Sequence, residues 1–144
     1  MVIKDIMTKE VASLNEDDTV ERAAELMLEH DIGSVPVCSA EKVIGIVTDR
    51  DIALRTVAKG ENPKLQPVRS VMSSNPVLGN PQMEVKDAAR IMSERQIRRL
   101  PVADGGRLIG IVSLGDIATN NKLEEAAKSA LTNISEPCCP VWKI

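Results

Sequence analysis

The chain contains no phenylalanine and no tyrosine, and Trp142 is its single tryptophan. Apolar residues still make up 43%, an ordinary share for a globular protein. A core must therefore be assembled from Val, Ile, Leu, Ala and Met. Stacking platforms for single-stranded nucleic acid are missing. A net charge of −3 also removes the basic field that nucleic acids or anionic membranes require. No apolar run approaches the roughly 18 residues of a membrane span. Residues 1–10 mix Lys4, Asp5, Lys9 and Glu10 with apolar positions, which is no signal peptide. These absences lead us to expect a soluble cytoplasmic protein with no membrane or nucleic-acid partner.

Cysteine and histidine are equally sparse. Cys38, Cys138 and Cys139 form no disulfide framework. Cys38 lies in an apolar run and reads as a small buried hydrophobe. Cys138 and Cys139 sit between Pro137 and Pro140, where a metal or redox role is the lesser reading. His30 is the only histidine, so Cys/His spacing for zinc is lacking. No nucleophile–base pair or phosphate loop is visible. We expect no catalytic residue, no metal site and no obligatory cofactor.

What the chain does have is a duplication. Shifted by 65 positions, residues 6–53 align with residues 71–118 without a gap, with 17 identities in 48 pairs. Each copy of about 60 residues buries too little surface to be robust alone, so the two are expected to fold together. In the first copy, Thr19 to Glu21 resembles a capping box opened by Asp18. Val20, Ala23, Ala24, Met27 and Leu28 then follow helical spacing to about His30. Gly33 breaks the chain. Residues 35–38 and 43–48 read as a hairpin across Ser39-Ala40-Glu41-Lys42, followed by a helix from about Asp49 to Lys59. Residues 10–14 suggest a brief strand. The second copy repeats this order, with a helix stripe at Val85, Ala88, Ala89 and Met92 and strands at 100–103 and 107–113 around Asp104-Gly105-Gly106. A helix begins near Leu114. Each unit is β-α-β-β-α, an α+β arrangement. The expected divisions are 1–59, a polar proline-bearing linker at 60–67, 68–121, and 122–144, in which residues 119–132 extend the last helix and 133–144 form a tail.

The pattern Gly-h-h-Thr/Ser-x-x-Asp (h apolar) occurs at 45–51 and again at 110–116. Thr48 with Asp51, and Ser113 with Asp116, each suit a helix N-cap with an acid three residues on. The same geometry also suits a ligand. A strand ending at a helix N-terminus offers N–H groups and a hydroxyl to phosphate or sugar, and a carboxylate can accept from two ribose hydroxyls. A cap alone does not explain the motif recurring at one offset.

These residues, with the Ile-Met-Thr and Val-Met-Ser openings at 6–8 and 71–73 and the Val-Pro-Val and Leu-Pro-Val strands at 35–37 and 100–102, resemble the cystathionine-β-synthase (CBS) domain family. The resemblance covers about residues 2–120, as a free-standing CBS pair or Bateman module. It implies two β-α-β-β-α repeats packed by pseudo-two-fold symmetry, with two clefts for AMP, ADP, ATP or S-adenosylmethionine. Carried over, Asp51 and Asp116 would hold ribose hydroxyls, and Thr48 and Ser113 would contact ribose or phosphate. Adenine would lie near Val11 and Val35 in one cleft, and near Val77 and Leu100 in the other. Arg98 and Arg99 precede the second Pro-bearing strand, where similar modules place a phosphate-binding arginine; their counterparts are Gly33 and Ser34. Arg50 lies inside the first motif opposite Gly115. The alternative for these arginines is a solvated helix-end surface. If they bind, the clefts are unequal.

The leading expectation is a regulatory module that binds an adenosine ligand and signals in trans to a target protein as yet unknown. The alternative is a structural homodimer joined through helices 49–59 and 114–121, with clefts that no longer bind nucleotide.

Overall fold

A computed structural model describes residues 1–119 and 124–136. The elements are β1 (Leu14–Asn15), α1 (Val20–His30), β2 (Ser34–Ser39), β3 (Lys42–Thr48), α2 (Asp49–Ile52), β4 (Ser73–Ser74), α3 (Val85–Arg95), β5 (Arg99–Asp104), β6 (Arg107–Ser113), α4 (Leu114–Ala118) and α5 (Glu124–Ser135). The mixed helix and strand content, repeated in order, is the α+β arrangement read from the sequence.

Two compact units divide the chain, and they interleave along it. One comprises Glu10–Leu78 with Ala103–Ile109 (the Glu10 unit). The other comprises Met1–Lys9, Gly79–Val102 and the chain from Gly110 (the Gly79 unit).

In the Glu10 unit, β2 runs antiparallel to β3, pairing Ser34 with Thr48 and Pro36 with Ile46. β1 lies parallel to β2, Leu14 opposite Val37. β4 lies antiparallel to β3, Ser73 opposite Ile46. The core combines Leu14, Val20, Ala23, Leu26, Met27, Val35, Val37, Val47, Val68 and Val71. In the Gly79 unit the equivalent pairings recur 65 residues away, Thr8 opposite Ile111 and Gly79 parallel to Val102. The buried set there includes Ile3, Val85, Ala88, Met92, Leu100, Val102, Val112 and Ile117.

Several local expectations are corrected. The cap of α1 is Thr19, whose hydroxyl accepts from the Arg22 N–H (3.2 Å). Asp18 instead accepts from the Asn15 N–H (2.8 Å). On α1 the buried stripe includes Leu26, while Ala24 is exposed and Leu28 is 85% exposed. Leu26 and Leu28 flank the Val20–Ala23–Met27 line on opposite sides, so periodicity alone does not choose between them. Helix α1 does end at His30 as expected, with Asp31 as its left-handed cap (φ 53°). The strand expected at 10–14 is confined to Leu14–Asn15. α2 gives way to a π-helical turn at Ala53–Val57. There, buried Thr56 donates to Gln66 Oε1 (2.7 Å), and the Val20 N–H donates to Gln66 O (2.9 Å). These bonds fasten the 60–67 segment to its unit. α4 ends at Ala118 and α5 starts at Glu124.

Both hairpin turns place two residues at positive φ: Ala40 and Glu41 (50° and 70°), and Gly105 and Gly106 (59° and 87°). That signature matches the right-handed twist of the flanking strands.

The glycine of each motif has a steric role. A Cβ on Gly45 would lie 2.5 Å from Met72 Sδ and 2.9 Å from Ser73 O; on Gly110 it would lie 2.6 Å from Met7 Sδ and 2.9 Å from Thr8 O. The methionine can swing aside, but the paired backbone carbonyl cannot. Gly45→Ala is therefore expected to destabilise the chain by about 1–3 kcal/mol, the usual overpacking cost, in urea unfolding. An unchanged midpoint would show that the segment yields freely.

Candidate functional site

Each motif begins as a strand and ends as a helix cap. Ser113 Oγ accepts from the Asp116 N–H (3.1 Å), while Asp116 Oδ2 accepts from the Ser113 N–H (2.8 Å). Thr48 and Asp51 make the same reciprocal pair, both bonds at 3.0 Å. The capping reading is thus realised in both copies. It engages one oxygen of each carboxylate, and Asp51 and Asp116 both remain half-buried. Among the described residues, the second oxygen of each has no protein hydrogen bond, so a ligand hydroxyl can approach it without breaking the cap.

In the Gly79 unit this junction borders a cavity of about 750 Å³. Its walls are Arg98 and Arg99 from the start of β5, Ser113, Leu114, Gly115 and Ala118 from the motif and α4, and Lys128 and Leu131 from α5. The two halves of the wall are tied together where the Leu114 N–H donates to Arg98 O (2.8 Å). Leu114, Ala118 and Leu131 supply apolar surface; Arg98, Arg99 and Lys128 supply positive charge. Arg98, Arg99 and Ser113 line one cavity, and Asp116 is the acid whose cap borders them; the sequence alone leaves open which of the two motifs accompanies the arginines. Leu114, Gly115, Ala118, Lys128 and Leu131 were not singled out. Gly115 was visible only as the counterpart of Arg50, and α5 lies beyond the duplicated stretch.

The first motif is built alike but lined differently. The Asp49 N–H donates to Gly33 O (2.9 Å), the equivalent of the Leu114–Arg98 bond. Asp49 stands where the other copy has Leu114, and its Oδ2 would be 3.1 Å from a Cβ on Gly33. Arg50 is exposed. This junction carries Asp49 where its counterpart carries Leu114, and Gly33 and Ser34 where it carries Arg98 and Arg99.

Val35 and Leu100, expected beside a base, are each 0% exposed and belong to the cores. Pro36 and Val37 beside Val35, and Pro101 and Val102 beside Leu100, are buried as well, so both faces of these strands are covered. Val11 and Val77 are half-buried in irregular chain of the Glu10 unit. Burial pushes the Cys38 thiol above its ordinary pKa, which keeps it protonated and unreactive. Cys138 and Cys139 lie outside the described residues. Among the described residues there is no group of three or more His, Cys, Asp or Glu arranged to hold a metal, and no helix long and apolar enough to cross a membrane.

A family model described as the CBS domain matches residues 3–56 and again residues 68–123. The chain belongs to the CBS-domain family. It is 49% identical over 133 residues to the CBS domain-containing protein YhcV of Bacillus subtilis, covering 92% of this chain and 94% of that one. Among solved structures it resembles Hypoxic Response Protein I with two coordinated zinc ions (34% identity, TM-score 0.76, 82% of this chain and 97% of that one). It also resembles the CBS domain pair of protein MJ0100 in complex with 5′-methylthioadenosine and S-adenosyl-L-methionine (28% identity, TM-score 0.73, 82% and 93%). As a CBS pair it shares its architecture with proteins of which some bind adenosine compounds.

The reciprocal caps should be measurable apart from any ligand. Thr48→Ala and Ser113→Ala are each expected to lower stability by about 0.5–2 kcal/mol, the usual loss on removing an N-cap hydroxyl, in denaturant titrations without nucleotide. A loss confined to one copy would mean that the duplicated bonds are not equivalent.

Proposed function

We propose that this CBS pair is a regulatory module that binds an adenosine compound in the Gly79-unit cavity and passes its occupancy to a partner protein in trans. The observation that carries this reading is the cavity lined by Arg98, Arg99, Ser113 and apolar residues beside the Asp116 cap. At about 750 Å³ it falls within the roughly 300–1,000 Å³ typical of small-molecule sites. The MJ0100 pair, solved with two adenosine compounds, supports the ligand class.

In this reading the free oxygen of Asp116 accepts from ribose hydroxyls, Ser113 contacts ribose or phosphate, and the arginines take phosphate. The base lies against Leu114, Ala118 and Leu131. Thr48, Arg50 and Asp51 offer an equivalent cap, but Asp49 over Gly33 disfavours an anion there. We therefore assign a phosphorylated ligand to the Gly79 unit.

A second reading is supported by the helical run after the first motif, where Leu54 is 49% and Val57 72% exposed. Such a face suits contact with a second copy, giving a homodimer whose clefts need not bind anything. Ligand binding separates the two readings. A ligand that binds only the folded chain stabilises it by about 2.7 kcal/mol at a hundred-fold excess over Kd.

Calorimetry with adenosine, AMP and S-adenosylmethionine provides the test. Arg98→Ala with Arg99→Ala should weaken AMP at least about tenfold more than adenosine, since charge-assisted bonds to phosphate are the strong ones. Asp116→Asn keeps an oxygen for the Ser113 N–H but turns the other position into a donor. It should weaken adenosine and AMP alike. Equal losses of AMP and adenosine in the double arginine variant would remove the phosphate assignment. The absence of both binding and thermal stabilisation would leave the structural reading.

A further inference from the structure

The family match ends at residue 123, immediately before α5 begins at Glu124. Helix α5 nonetheless forms one wall of the cavity through Lys128 and Leu131. Its hold on the unit comes from elsewhere. Ala130 is buried. The Gln96 side-chain amide donates to Asn133 O (3.1 Å) and Glu136 O (3.0 Å), and Asn133 Nδ2 bonds to Ser93 Oγ. These contacts dock α5 against α3 and leave Lys128 exposed at the cavity.

The charge around the cavity is unbalanced. Among the described residues, the side chains of Arg98, Arg99 and Lys128 have no carboxylate partner. Arg22 pairs with Glu25, Arg69 with Asp17, Arg90 with Asp87 and Arg107 with Glu41, while Arg50, Arg55 and Arg95 also lack a carboxylate partner among the described residues but do not line the cavity. Three cations with no carboxylate partner among the described residues converge on one concave surface, whose other lining is Ser113, Leu114, Gly115, Ala118 and Leu131. That combination fits a ligand with an apolar body and a multiply charged anionic end, and it opposes a sulfonium cation. Two guanidinium forks can clasp a single phosphate. Lys128, a point charge on a separate helix, is placed to meet a second phosphate.

We infer that α5 makes the cavity count phosphates: Lys128 joins Arg98 and Arg99 in a cationic subsite that favours adenosine di- and triphosphate over the monophosphate. This rests on the cavity being the nucleotide site. Occupancy then draws Lys128 inward and holds α5 on the unit, so a helix outside the repeats reports the ligand's charge state.

Calorimetry at fixed ionic strength without divalent cations tests this, comparing adenosine, AMP and ADP on the intact chain and on Lys128→Gln. Lys64→Gln, which removes one charge from an exposed site in the other unit, is the control. The intact chain should bind ADP about tenfold more tightly than AMP, as one charge-assisted bond provides. Lys128→Gln should abolish that preference and leave adenosine and AMP within about twofold, whereas Lys64→Gln should preserve it. Hydrogen exchange should show ADP protecting residues 128–135 more than adenosine does. An ADP preference that survives Lys128→Gln, or equal protection by the two ligands, overturns the inference while nucleotide binding stands. Failure of adenosine, AMP and ADP to bind at all overturns the site itself, and this inference with it.

Discussion

The structure depends on one close approach, made twice. Gly45 and Gly110 let a methionine-bearing segment lie flat on the middle of a strand, with a backbone carbonyl inside the space that any Cβ would occupy. Because Thr8 pairs with Ile111, and Ser73 with Ile46, each segment docks on a strand from the opposite repeat. The compact units are interleaved for that reason. Fixing the strand at its glycine also fixes where it ends, three residues later, at Thr48 or Ser113. There the chain turns into a helix whose first N–H groups are satisfied by the cap itself. The glycine, the hydroxyl and the acid of the motif are therefore all explained by folding before any ligand is considered.

The two copies differ in the positions that the fold leaves free, and the proposed ligand contacts fall there. Between hydroxyl and acid the first copy carries Asp49-Arg50 and the second Leu114-Gly115. Before the Pro-bearing strand the first has Gly33-Ser34 and the second Arg98-Arg99. Both pairs of positions meet at the same backbone hydrogen bond, from Asp49 to Gly33 and from Leu114 to Arg98. Duplication preserved the joint and changed what surrounds it. One joint carries both Asp49 and Arg50; the other carries Arg98 and Arg99 beside Leu114 and is lined in part by apolar residues.

Much of this was legible in the sequence because it is local. Capping boxes, hairpin turns and helix stripes are written within a few residues of one another, and the identities of the two copies point to the same joint. What escaped was set by tertiary choice. Leu26 and Leu28 are equivalent by periodicity until a sheet selects one side of α1. Val35 and Leu100 lie in strands that are buried on both faces, which alternation in the sequence does not reveal. Arg98 and Arg99 could be named from their position, yet the acid they accompany could not, because it depends on the Leu114–Arg98 bond. α5 was hardest to read. It has no counterpart in the first copy, and its role follows from packing on α3 through Gln96 and Asn133.

An appended helix facing unpaired cations has a thermodynamic consequence. With the cavity empty, Lys128 faces two guanidinium groups and its docking is opposed by repulsion, only partly screened over the Debye length of about 8 Å at physiological salt. An anion reverses the sign of that interaction. On the proposed reading a ligand would then bind better to the state with α5 docked, and by linkage a docked α5 would bind it better by the same factor. A partner that recognises either state of α5 would therefore alter nucleotide affinity without touching the cavity. The coupling grows with the number of phosphates, because the term that opposes docking is electrostatic. Base contacts to Leu131, which also lies on α5, would add a contribution to docking that does not depend on the number of phosphates.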